Sequence, residues 1–141
     1  MTVTIPSELV PPEVRAVADE LRDRGYTLVG EHYAEAGFGN ALMALGHDAT
    51  LVRLVRDRGR WFVEAAPRGT DEWFAPVVWH AALLGSVPAS ETRAFAGQAE
   101  LLLADLDQIE GASAAGGDDL LNKLRVSRDR RAHARRGIPP Q

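Results

Sequence analysis

The stretch Ala49–Ala66, A-T-L-V-R-L-V-R-D-R-G-R-W-F-V-E-A-A, constrains the fold more than any other part of the chain. Two runs rich in β-branched and aromatic residues flank a polar tip, Asp57-Arg58-Gly59, which is the pattern of a β-hairpin. Two registers are open. If Gly59 closes a type I turn with a G1 bulge, Arg56 faces Arg60 and Leu54 faces Phe62. If Arg58-Gly59 is a two-residue turn, Arg56 faces Trp61, Arg53 faces Glu64 and Leu54 faces Val63. A positive φ is costly at Arg58 and cheap at Gly59, which favours the bulge. That register puts Trp61 on one face with Arg53 and Val55, and Phe62 on the other with Val52 and Leu54. An aromatic among charges suits an interaction surface. A face covered by a helix is the plainer reading and the preferred one, because large aromatics are mainly buried.

The rest of the chain builds around this hairpin. Residues 1–10 read as an extended lead-in. Pro11 and Pro12 suit a helix start, since proline fixes φ and the first turn does not need its missing donor. Val14, Val17, Ala18 and Leu21 recur at helical spacing, and Gly25 closes that helix. Tyr26 to Tyr33 reads as a strand, residues 36–40 as a turn-rich connection, and Ala41 to Leu45 as a second strand. Four strands in succession with short turns predict an antiparallel meander.

After the sheet, Asp71 to Phe74 reads as a turn into a buried helix over Pro76 to Leu84. Ser90 is a candidate cap for a helix to Ile109 with Phe95, Ala99, Leu102, Leu106 and Ile109 on one face. The run G-A-S-A-A-G-G at residues 111–117 reads as a flexible linker, and Asp118 as the cap of a last helix carrying Leu120, Leu121 and Leu124. The expected organisation is one α+β domain over residues 1–110, a linker over 111–117 and a basic helical tail over 118–141. The expected fold is a four-stranded antiparallel meander packed by an N-terminal helix and two C-terminal helices. With only three leucines to dock it, the tail is expected to be separable from the domain.

Composition excludes several function classes. The chain has 141 residues, enough for one domain with a core, and no apolar run of the length a membrane span needs. The start M-T-V-T-I-P-S-E lacks a basic region and an apolar core, so a secretory signal is not expected. With no cysteine there is no disulfide framework, thiolate nucleophile or thiolate zinc site, which fits a cytoplasmic location.

Charge is unevenly spread. Residues 1–110 hold 17 Asp and Glu against 9 Arg, and residues 111–141 hold 3 Asp against 7 Lys and Arg. An acidic body of net −8 steers basic partners inward and repels nucleic acid, while a tail of net +4 does the reverse.

No motif carries chemistry. His32, His47, His80 and His133 have no spacing that builds a metal site. His32 sits between Glu31 and Tyr33 in a strand, where neighbours point to opposite faces. No G-x-S-x-G elbow accompanies the serines Ser7, Ser86, Ser90, Ser113 and Ser127. Gly37-Phe38-Gly39 lacks the third glycine and the following helix of a phosphate loop. No catalytic residue, metal or cofactor is expected.

Asp71 and Glu72 beside Trp73 and Phe74 form the sharpest local cluster. Acids at a helix entry are explained by the helix dipole. They also suit a binding edge, in which Asp71 and Glu72 meet a basic partner around the anchors Trp73 and Trp61, with Arg53 on the same surface. In the tail, Arg125, Arg128, Arg130, Arg131, Arg135 and Arg136 suit phosphate contacts or docking onto the acidic body. A solvated or self-docked tail is preferred over a nucleic-acid arm, since no base-reading module accompanies these arginines.

The segments D-R-G-R-W-F-V-E at Asp57–Glu64 and D-E-W-F-A-P-V-V-W at Asp71–Trp79 resemble a pattern in small actinobacterial proteins. Those families are immunity-type proteins of polymorphic toxin systems, and the resemblance spans residues 13–109. It implies a non-enzymatic protein that binds a cognate toxin, without identifying the toxin. The leading expectation is an immunity-type inhibitor that occludes the site of a basic toxin, such as a nuclease, through Asp71, Glu72, Trp73, Trp61 and Arg53. No membrane partner and no tight nucleic-acid binding are expected. The alternative is a small adaptor or regulator that uses Arg128, Arg130 and Arg131 on nucleic acid or a ribosome.

Overall fold

The computed structural model describes residues 5–34, 39–85 and 94–135, with side chains through Arg131. A 3₁₀ turn at Ser7–Leu9 replaces the extended lead-in, and it precedes helix α1 (Pro12–Asp23). Strands β1 (Thr27–Ala34), β2 (Asn40–His47), β3 (Thr50–Asp57) and β4 (Arg60–Pro67) follow. Helices α2 (Pro76–Leu84), α3 (Phe95–Ala115) and α4 (Asp118–Arg135) complete the chain. The strands form one antiparallel sheet in the order β1-β2-β3-β4, so the α+β meander is present. Ser86, Ser90, Gly37, Phe38, His133 and Arg136 lie outside the described residues or side chains, as does the side chain of Arg135.

The hairpin takes the register that the bulge reading disfavoured. Arg56 pairs with Trp61, Leu54 with Val63, Arg53 with Glu64 and Asp57 with Arg60. Arg58 has φ 53° and Gly59 φ 81°, as a two-residue type I′ turn requires. The bulge register would pair Val52 with Glu64 and turn that carboxylate into the core. A one-residue slip exchanges the two faces of a strand. The left-handed Arg58 costs about 1–2 kcal/mol, whereas an unpaired buried carboxylate costs far more. The Asn40 side chain also accepts a 3.0 Å hydrogen bond from the Arg58 backbone N–H, holding the turn.

The core lies on one face of the sheet. Ala41, Met43 and Leu45 of β2, Val52 and Leu54 of β3, and Val63 and Ala65 of β4 are buried there. Val14, Val17, Ala18 and Leu21 of α1 meet them, in agreement with the helical spacing, as do Ala99, Leu102, Leu106 and Ile109 of α3. Trp79 of α2 is fully buried and its indole N–H donates to the Ala65 carbonyl at 3.0 Å.

One expectation about the C-terminal part is corrected. Helix α3 runs through Gly111 to Ala115, so only Gly116 and Gly117 separate it from α4. Leu120 and Leu124 of α4 join the same core, with Leu121 packed against it. The segment expected as a flexible linker is therefore mostly helix, and the basic tail is helical as expected, with its three leucines docked beside α2.

Candidate functional site

The residues expected to share one binding surface are distributed over different sides of the molecule. In the observed register Trp61 lies on the core side of the sheet with Arg56. Its indole N–H donates to the Leu9 carbonyl at 3.1 Å and fixes the N-terminal turn. Arg53 lies on the opposite, outer face, where its Nε and Nη2 donate to Glu64 Oε1 at 2.8 and 2.5 Å. Trp73 stacks on that guanidinium, whose central carbon is 4.3 Å from the ring centroid. Arg53 and Trp73 are thus brought together, and Trp61 is not with them.

Asp71 and Glu72 do not cap a helix. The first turn of α2 contains no acid, and its N-cap is Ala75. The chain before it is extended, with Phe74 bridged to Ala65 across the edge of β4. Asp71 is exposed. Glu72 turns toward α4, where Arg125 Nε donates to both of its oxygens at 3.0 Å and Arg125 Nη2 also donates to Oε1. Arg128 Nη1 stands 3.7 Å from the same carboxylate, and its guanidinium lies 5.6 Å from the Phe74 ring centre. Hydrogen bonding from Arg125 holds the Glu72 carboxyl below its usual range, and the same contact raises Arg125.

The acidic surplus gathers on a different surface, formed by α1 and α3. Glu13, Asp19 and Asp23 of α1 and Glu100 and Asp107 of α3 are exposed, with Glu20 and Glu110 half-buried. Arg22 pairs with Asp19 at 3.7 Å, and Arg24 with Glu20 at 3.0 Å. Arg24 also donates to the Leu103 carbonyl at 3.2 Å, which joins the two helices. Among the described residues, Glu13, Asp23, Glu100 and Asp107 have no cationic partner. The sequence carries a signal for this surface: the polar positions between the apolar residues of α1 and α3 are rich in acids.

The histidines occupy structural positions. His80 Nδ1 and Asp105 Oδ2 are 2.7 Å apart in a mostly buried pair between α2 and α3. His47 Nδ1 faces the Gly25 carbonyl at 3.2 Å, with its ring beside Tyr26 and its Nε2 3.5 Å from Asp48. His32 is exposed on β1. No three metal-ligating groups converge among the described residues. Burial pushes the Tyr26 phenol well above its ordinary value, with Glu110 adding to the effect.

On α4, Lys123 and Arg130 line an open groove of about 490 Å³ against Ala81 and Ala82 of α2, with Val126 beside them. No helix of the described residues is long and apolar enough to cross a membrane. No family model matches this chain, and neither does any curated protein or solved structure.

Proposed function

We propose that this chain is a non-enzymatic, immunity-type binding protein that neutralises a basic toxin, such as a nuclease, by covering its active site. The observation that supports this reading is the separation of charge in the fold. The acids of α1 and α3 form one surface on which four carboxylates have no cationic partner among the described residues. Such a surface speeds encounter with a basic partner and keeps nucleic acid away. A toxin whose basic groups grip a phosphate backbone presents the matching charge. Covering those groups removes substrate binding without any chemistry by the inhibitor.

The binding residues in this reading move from the Asp71–Glu72 step to Glu13, Asp23, Glu100 and Asp107, since Glu72 is engaged by α4. The test is co-expression with the products of the genes that flank this one, of which one should arrest growth when expressed alone, together with association kinetics. The wild-type protein should restore growth. The pair Glu100→Lys and Asp107→Lys should slow association by at least tenfold at low salt while leaving thermal unfolding unchanged. Submicromolar binding of RNA or DNA by the intact protein at physiological salt, lost in Arg130→Ala, would replace this reading with the adaptor.

A further inference from the structure

We infer that the outer face of the sheet joins two copies of this chain in a two-fold symmetric, face-to-face dimer. This face lies opposite the core, on the far side of the sheet from α1 and α3, and the inference does not depend on the toxin-binding reading. Three rows of residues cross it. They are His32–Leu42–Val55–Phe62, Gly30–Ala44–Arg53–Glu64 and Gly46–Leu51–Ala66. Leu42, Val55, Phe62 and Leu51 are apolar, yet none belongs to the core cluster or packs against it. No described helix lies over them.

The relief of this face suits a copy of itself. The half made by β1 and β2 is low in the middle row, where Gly30 and Ala44 leave the backbone nearly bare. The half made by β3 and β4 is high in the same row, where the Arg53–Glu64 pair carries the Trp73 indole. A two-fold axis parallel to the strands, between β2 and β3, lays β3 and β4 of one copy over β2 and β1 of the other. Arg53 with Trp73 then sits over Ala44, Glu64 over Gly30, Val55 over Leu42, and Phe62 over His32. In these two rows each high element meets a low or apolar one, while at Gly46 the Arg68 guanidinium already lies over the glycine; the contact is isologous. Strands related this way are aligned, the common arrangement for two packed sheets.

Charge and area point to the same occupant. The face carries Asp57 and Glu64 against Arg53, Arg60 and Arg68, so it does not share the repulsion that the net −4 of the chain creates between copies. A basic partner gains nothing from it. Strands of 8 residues at about 3.3 Å each and about 4.8 Å apart give a face of roughly 26 by 19 Å. Two such faces in contact cover about 1,000 Å² before Trp73 is counted, which reaches the lower limit for a specific interface.

Sedimentation equilibrium of the full chain across the micromolar range tests the proposal. The expected mass is twice the 15.3 kDa of the chain. Ala44→Arg drives a cation against the partner's Arg53 and Trp73 and should weaken the dimer more than a hundredfold; Val55→Lys should do the same. Glu100→Lys, on the helical surface, should leave the dimer intact. Cross-linking covers the case in which either disrupting variant fails to fold. The chain has no cysteine of its own, and packed sheets stand about 10 Å apart, too far for a direct disulfide, so Leu42→Cys and Val55→Cys proteins mixed with a short bis-maleimide should give a cross-linked heterodimer. A wild-type chain that stays monomeric at every concentration overturns the proposal. So does a dimer that persists in the folded disrupting variants, or a mixture that gives no cross-link.

Discussion

Glu72 and Arg125, 53 positions apart in the chain, form a two-oxygen ion pair that fastens the last helix to the edge of the sheet. Leu120 and Leu124 of the same helix are buried in the core. The ion pair converts an acidic step that looks like a helix cap into an anchor for α4.

Helix α4 should be essential to the stability of the whole fold. Fully burying a leucine contributes about 1.5–3 kcal/mol, and Leu120 and Leu124 are both buried, at 7% and 0% exposure. Ending the chain after Ala115 should lower the thermal midpoint by more than about 10 °C, or abolish soluble expression. A midpoint within a few degrees of the full chain would show that α4 packs without contributing.

Glu72 should make stability depend on pH in the acid range. Its folded carboxyl titrates below the ordinary glutamate value of 4.5, chiefly because Arg125 donates to the charged form. The unfolded chain therefore takes up this proton first as pH falls. The contribution is complete above about pH 4.5 and disappears as pH drops through the lower folded value. Urea midpoints measured from pH 7 to pH 3 should separate wild type from Glu72→Gln at neutral pH and converge at the acid end. The separation should shrink in high salt, because the pair is at the surface. A constant separation at all pH values would assign the effect to shape and not to charge.

The hairpin tip should be improvable. Arg58 holds φ 53° at a position where asparagine is far more at ease. Arg58→Asn makes the Asn-Gly pair that type I′ turns prefer and keeps the backbone N–H that bonds Asn40. It should stabilise the fold by about 0.5–1 kcal/mol, seen as a midpoint a few degrees higher. A lower midpoint would mean that the arginine side chain makes a contact that outweighs its backbone strain.

The order and type of the elements were legible in the sequence because both are written in local spacing. Val14, Val17, Ala18 and Leu21 lie on one side of any α-helix, whatever surrounds it. The β-branched and aromatic runs of β3 and β4 likewise select a strand before any partner is known. Four short strands in a row with tight turns leave little choice but a meander. The surplus of acid before residue 111 was also plain, since charge is a property of composition.

What only the tertiary structure decided were the choices that depend on distant partners. The register at Leu54 and Val63 was set by the cost of turning Glu64 inward, a cost that exists only once the core is on one side of the sheet. Gly111 stays helical because α3 packs along its length and continues toward α4, so a flexible composition did not make a flexible segment. Glu72 bonds to Arg125, and not to the helix beside it, because α4 returns to that edge. Trp61 and Trp73 part to opposite faces for the same reason that Glu64 faces outward. A strand sends alternate side chains to opposite sides, and burial of the core chooses which side each one takes.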